Sequence, residues 1–185
     1  MRSSAEVAPV LPLSVPSSVA VRRVAFGGML LVCAVILGVM ETWLVALSPL
    51  PWLRLGLANI AVVVALAWLG PRTALTVSGL RVVLVGLATG TLFGPSTVLA
   101  AAGAVFAFCA MLAVRALGEG FSVVGWSIAG AFAHVVGQFA AAVIVTGTLA
   151  VVVLAPISVL VSLLLGLATG LVALSLISRV VTPVR

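Results

Sequence analysis

Six apolar runs separated by glycines and prolines fill nearly all of the chain after its first twenty residues. They lie near Val24–Leu47, Leu55–Leu69, Thr73–Phe93, Thr97–Leu117, Ser122–Val145 and Ile157–Ser178. Ser48-Pro49 with Pro51, Gly70-Pro71, Gly94-Pro95, Gly118 with Gly120, and Gly147 with Pro156 break the pattern between them. At about 1.5 Å per residue, runs of this kind cross about 30 Å of hydrocarbon, the second being at the lower edge of that length. That run is expected to tilt little or to be extended by its flanks. A barrel would need alternating polar positions, which the runs lack, and backbone polar groups in lipid must be satisfied within each segment. The pattern predicts an all-α integral membrane protein of six transmembrane helices. The apolar stretch Thr148–Ala155 is left as a lid, the start of a longer sixth helix or an external connection.

Composition agrees with this class. Of 185 residues, 64% are hydrophobic and 6% charged, against about a quarter charged in soluble domains. The basic residues are nine arginines, with no lysine and no aspartate, and the acids are Glu6, Glu41 and Glu119. A net charge of +6 on a soluble chain would suggest nucleic acid. Here the arginines punctuate apolar runs, so they report topology and no nucleic-acid partner is expected. With the amino terminus inside, Arg2, Arg22, Arg23, Arg72, Arg115, Arg179 and Arg185 are cytoplasmic, Arg54 is external and Arg81 lies within a helix. Six spans then place both termini in the cytoplasm of a multi-pass cell-membrane protein. Residues 1–23 are expected to be a flexible cytoplasmic tail, 24–180 the six-helix domain and 181–185 a second short tail. Prolines at 9, 12 and 16 make the first segment a poor signal peptide. Cys33 and Cys109 read as small core residues, and their spacing predicts neither disulfide nor metal site.

A local echo joins two segments. Gly86-Leu-Ala-Thr-Gly90 and Gly166-Leu-Ala-Thr-Gly170 both carry GxxxG spacing, which lets helices approach closely. Their flanks differ, so packing is expected rather than a duplicated half. Ala34/Gly38 and Ser162/Gly166 extend the theme and are candidate docking surfaces for a partner on helices one and six.

The polar residues inside apolar runs carry the candidate chemistry. Glu41 is either an interfacial acid or an ion-pair or site residue, with Arg54 or Arg81 as its partner. Arg54 is either the rim of a site or an arginine reaching the outer headgroups. Asn59 binds a ligand or ties two helices together. Arg81, near the middle of its helix, is costly there unless it meets a counter-charge, water or an anion. His134 and Gln138 form an i,i+4 pair in helix five, flanked by Gly130 and Gly137. Trp43 and Trp52 bracket the first external loop and suit an aromatic belt.

Glu41, the Arg54-Leu-Gly-Leu-Ala-Asn59-Ile run, Leu80-Arg81 and the Ser127–Gln138 run with Ala133-His134-Val-Val-Gly137-Gln138 together resemble the Gx transporter family. That family is also labelled heptaprenyl diphosphate synthase component I. The resemblance covers about residues 24–180 and is similar in turn to the substrate-binding S components of energy-coupling-factor transporters. Arg54 stands where the family usually has lysine, and Val135 where it usually has asparagine. The resemblance implies an S-component-like bundle with a binding or transport role.

The expected function is uptake of a small anionic or polar substrate from the external side. Its pocket would be lined by Glu41, Arg54, Asn59, Arg81, His134 and Gln138. No nucleotide-binding loop occurs, so ATP energy would come from the coupling membrane subunit and ATPases of an energy-coupling-factor module. Beyond substrate, membrane lipid is the expected partner, and no cofactor is expected. The alternative is a non-catalytic membrane subunit in isoprenoid or quinone metabolism or flavin-linked electron transfer. Prenyl-diphosphate catalysis of the common type uses aspartate-held magnesium, and a chain without aspartate is not expected to be that enzyme.

Overall fold

The computed structural model describes residues 18–47, 56–118 and 120–179. Six α-helices follow one another: α1 (Ser18–Leu47), α2 (Asn59–Trp68), α3 (Pro71–Ala88), α4 (Pro95–Ala116), α5 (Val123–Thr146) and α6 (Ala155–Arg179). A 3₁₀ segment, Leu149–Leu154, leads into α6, and no strand occurs among the described residues. The predicted boundaries hold where breakers stand. Pro71 and Pro95 occupy the first helical turns of α3 and α4, where a missing N–H costs nothing. The Ser122 side chain accepts from the Gly125 N–H at the start of α5. Gly147, at φ +67°, closes α5 in the left-handed conformation that a side chain would resist.

Other boundaries move. α2 begins at Asn59, after the expected Leu55, and α3 ends at Ala88, before the expected Phe93, where Gly90 turns the chain at φ +69°. α1 begins at Ser18, ahead of the expected Val24, so Arg22 and Arg23 belong to a helix. The 3₁₀ segment and α6 make one apolar stretch, Leu149–Arg179, of 31 residues. Thr148–Ala155 is therefore the lead-in to a longer sixth helix. The tails at 1–17 and 180–185, with Trp52 and Arg54, lie outside the described residues.

The second helix is the central one. Five of the described stretches are long and apolar enough to cross a membrane, whereas α2 has 10 residues, about 15 Å. It survives at that length because Ala61 through Leu66 are at most 3% exposed, enclosed by α1, α3, α5 and α6. Around it, Leu30, Ala34, Val77, Phe108, Met111 and Ala173 complete the core.

Small residues set how closely the outer helices approach. A Cβ on Gly137 would lie 2.8 Å from the Ala102 carbonyl oxygen of α4, and one on Gly170 would lie 2.9 Å from the Val124 Cα of α5. A Cβ on Gly166 would lie 2.7 Å from the Ala131 Cβ. The GxxxG of α6 is thus an intramolecular seam against α5. Its echo does something else: Gly86 packs against Leu92 and Thr97 in the α3–α4 connection, and Gly90 lies beyond the helix at φ +69°. The proposed docking faces are also internal. Ala34 is fully buried, a Cβ on Gly38 would strike Val85 of α3, and Ser162 is buried with Gly166. Cys33 and Cys109 are exposed on the outer surface instead of in the core, because the central positions go to α2 and its neighbours.

Alternating helix directions bring Arg22, Arg23, Arg72, Arg115 and Arg179 to one end of the bundle. Arg115 does more there than mark topology. Its Nη1 donates to the Leu66 carbonyl in the last turn of α2, and its guanidinium lies 5.4 Å from the Trp126 ring centroid. A cation at a helix carboxyl terminus satisfies an orphan carbonyl and meets the negative end of the dipole.

Candidate binding cleft

The opposite end of the bundle holds the polar residues. The chain enters α2 there through a turn at residues 56–58, whose N–H groups lie ahead of the helix. Glu41, 6% exposed near the end of α1, supplies acceptors for two of them. Its Oε1 accepts from the Gly56 N–H at 2.8 Å and its Oε2 from the Leu57 N–H at 3.1 Å. Gly56, at φ +69°, turns the chain so that these consecutive N–H groups point the same way. The next turn is carried by Asn59 N–H to the Gly56 carbonyl and Ile60 N–H to the Leu57 carbonyl. A carboxylate at the positive end of α2 is both hydrogen-bonded and dipole-stabilised, which accounts for its burial.

One turn deeper, the Asn59 Oδ1 accepts from Arg81 Nη1 at 3.0 Å, tying α2 to α3. Arg81 is 7% exposed, and Ala74 and Ser78 on its face are buried with it.

His134 lies across the bundle on α5, its ring against Gly103 of α4, where a Cβ would stand 2.7 Å from Cε1. Gly103 makes the space in which the imidazole sits. Two cavities meet at this ring. The larger, about 50 Å³, is lined by Glu41, Arg81 and His134 with Thr42, Thr91, Ser96 and Thr97. The smaller, about 10 Å³, lies behind the Arg81–Asn59 bond and is bordered by Asn59, Ser127, Ser162 and Thr169. Ser127 and Thr169 hydroxyls join at 3.0 Å across α5 and α6. A water needs roughly 10–15 Å³ of such space, so the larger cavity has room for a few waters or a small ion, not for a hydrocarbon chain.

Of the expected pocket residues, the structure gathers Glu41, Asn59, Arg81 and His134. Gln138 is buried one turn along α5 and lines neither cavity. Arg54 lies outside the described residues. Sequence reasoning passed over the hydroxyl wall of Thr42, Thr91, Ser96 and Thr97. Its signal was present, because three of the four flank the Gly94-Pro95 break at which α4 begins. Thr97 Oγ1 donates to the Thr91 carbonyl at 2.7 Å, so this connection is itself held in place. Trp43 is 65% exposed near the same end, as an aromatic-belt residue would be.

Fold and site define a multi-pass helical membrane protein with a polar cleft beside a short central helix. The chain belongs to the family described as heptaprenyl diphosphate synthase component I, whose model matches residues 30–176. No curated protein and no solved structure matches it.

Proposed function

We propose that this protein binds a small anionic or strongly polar substrate in the cleft between α1, α3, α4 and α5, as the substrate-recognising subunit of an uptake system. The observation that carries the reading is the convergence of Arg81, His134 and a wall of hydroxyls on one cavity in an otherwise apolar bundle. Arg81 brings a guanidinium to that cavity, while the Glu41 oxygens accept from the Gly56 and Leu57 N–H groups. With both termini in the cytoplasm of the cell membrane, the cleft lies in the external half. Uptake would draw on a coupling membrane subunit and ATPases of the energy-coupling-factor kind. Catalysis is not part of the proposal.

The test is thermal unfolding of the full chain in detergent against a panel of small phosphates and carboxylates. A ligand at a hundred times its Kd stabilises by about 2.7 kcal/mol. Ala100 also lines the cavity, so Ala100→Val adds methyl groups to it. Stabilisation by one class, lost in Arg81→Ala and in Ala100→Val, supports the proposal. No shift with any member, or a shift indifferent to both variants, counts against it.

The family description favours a second reading, a non-catalytic membrane component of an isoprenoid-forming assembly. Affinity purification separates the two: prenyl-transferring enzymes recovered with the chain support the second, coupling subunit and ATPases the first.

A further inference from the structure

A larger space lies between the same two helices at their other end. The groove between α1 and α3 has a volume of about 400 Å³ and is walled by Gly28, Leu31, Val77 and Leu80, with Arg23 and Arg72 among its lining. The two arginines lie at the same end of the groove, about 4.5 Å apart in height. A Cβ on Gly27 would stand 3.2 Å from Thr73 Cγ2, so Arg23, one turn before Gly27, and Arg72, next to Thr73, share one rim. Glu41 is the only described carboxylate side chain, and it lies at the far end of α1. The groove opens on the outer surface, where Val24 and Leu80 are 76% and 45% exposed.

We infer that this groove binds an anionic phospholipid, with its phosphate on Arg23 and Arg72 and an acyl chain along Leu31, Val77 and Leu80. Charge and polarity choose the occupant. Two guanidiniums at the arginine-rich end attract a phosphate, and the apolar walls below them match a chain. A packed helix from another protein would satisfy the walls but cover the guanidiniums with apolar surface. A soluble phosphate would satisfy the guanidiniums and leave the walls empty. The space exists because Gly28 has no side chain and no heavy atom within 4 Å of where a Cβ would stand. A large residue at that position, whose Cβ meets nothing within 4 Å, would project into the groove.

The test is native mass spectrometry of the delipidated full chain titrated with phosphatidylglycerol or phosphatidylcholine of identical acyl chains. Each arginine near a headgroup is worth about five-fold in binding, so the pair predicts a preference for phosphatidylglycerol of about thirty-fold. R23Q/R72Q should abolish the preference, R23K/R72K should restore most of it, and R22Q/R179Q should leave it in place. Gly28→Phe should weaken binding of both lipids, and glycerol phosphate should not compete. If R23Q/R72Q does not fold, the single variants carry the same test at about five-fold each. Equal binding of both lipids by the unaltered chain overturns the inference. So does a preference that survives R23Q/R72Q, a Gly28→Phe variant with unaltered binding, or full competition by glycerol phosphate.

Discussion

Replacing Glu41 with glutamine separates the structural role of this carboxylate from a purely electrostatic one. In the folded protein its two oxygens accept from the Gly56 and Leu57 N–H groups at 2.8 and 3.1 Å. Glutamine keeps one acceptor oxygen, so one N–H at the head of α2 loses its partner. A hydrogen bond to a charged group is worth about 1.5–3 kcal/mol, and alanine, losing both, would cost about twice that. Both variants also relieve the desolvation of a buried carboxylate, a penalty of several kcal/mol, so global stability is a blunt readout. Local opening is sharper. Hydrogen exchange of the full chain, read on a peptide that begins at least two residues before Gly56 and runs to Leu66, should quicken at the Gly56 and Leu57 amides. The expected factor is about ten- to a hundred-fold in Glu41→Gln, and more in Glu41→Ala. Exchange in α6 should not change. Unaltered exchange at Gly56 and Leu57 in both variants would refute the claim that Glu41 holds the entrance of the central helix.

Other consequences test the packing and the membrane reading. Gly170→Ala pushes a methyl against the Val124 Cα of α5, and overpacking of this kind costs about 1–3 kcal/mol, to be read as a lowered Tm in detergent. Gly28→Ala, which meets nothing within 4 Å, should leave Tm within error. Arg115→Gln removes the guanidinium from the Leu66 carbonyl and the Trp126 ring, with an expected loss of about 2–3 kcal/mol accompanied by a change in tryptophan emission. In bilayers, Cys33 and Cys109 should react with apolar maleimides and resist charged ones, and rapid labelling of both by a charged reagent would contradict lipid exposure.

The helical membrane class was legible because lipid leaves the backbone few options, so hydropathy and breakers suffice to mark the helices. What hydropathy does not carry is depth within the bundle. Val63 on α2 and Val32 on α1 are the same residue type in apolar runs, yet one is fully buried and the other 58% exposed. The short second run therefore showed its length but not its central position. The same gap put Cys33 and Cys109 in the core and left the small-residue faces open to a partner. The candidate site was partly legible, because burying Glu41, Arg81 or His134 is costly without compensation. Their partners were less so. Glu41 is held by backbone N–H groups of Gly56 and Leu57, and backbone donors leave no side-chain signature. Gln138 shares a helical stripe with His134 but lies about 6 Å further along the axis, a distance that periodicity does not weigh against the height of a cavity.

The central claim is that the cleft at Arg81 and His134 receives a small ligand. Native mass spectrometry of the gently extracted full chain tests it most directly. The account predicts a small-molecule adduct on the unaltered protein, lost on mild activation and missing from a folded Ala100→Val variant. A bare chain mass under every gentle condition, or an adduct that persists in Ala100→Val, would contradict it.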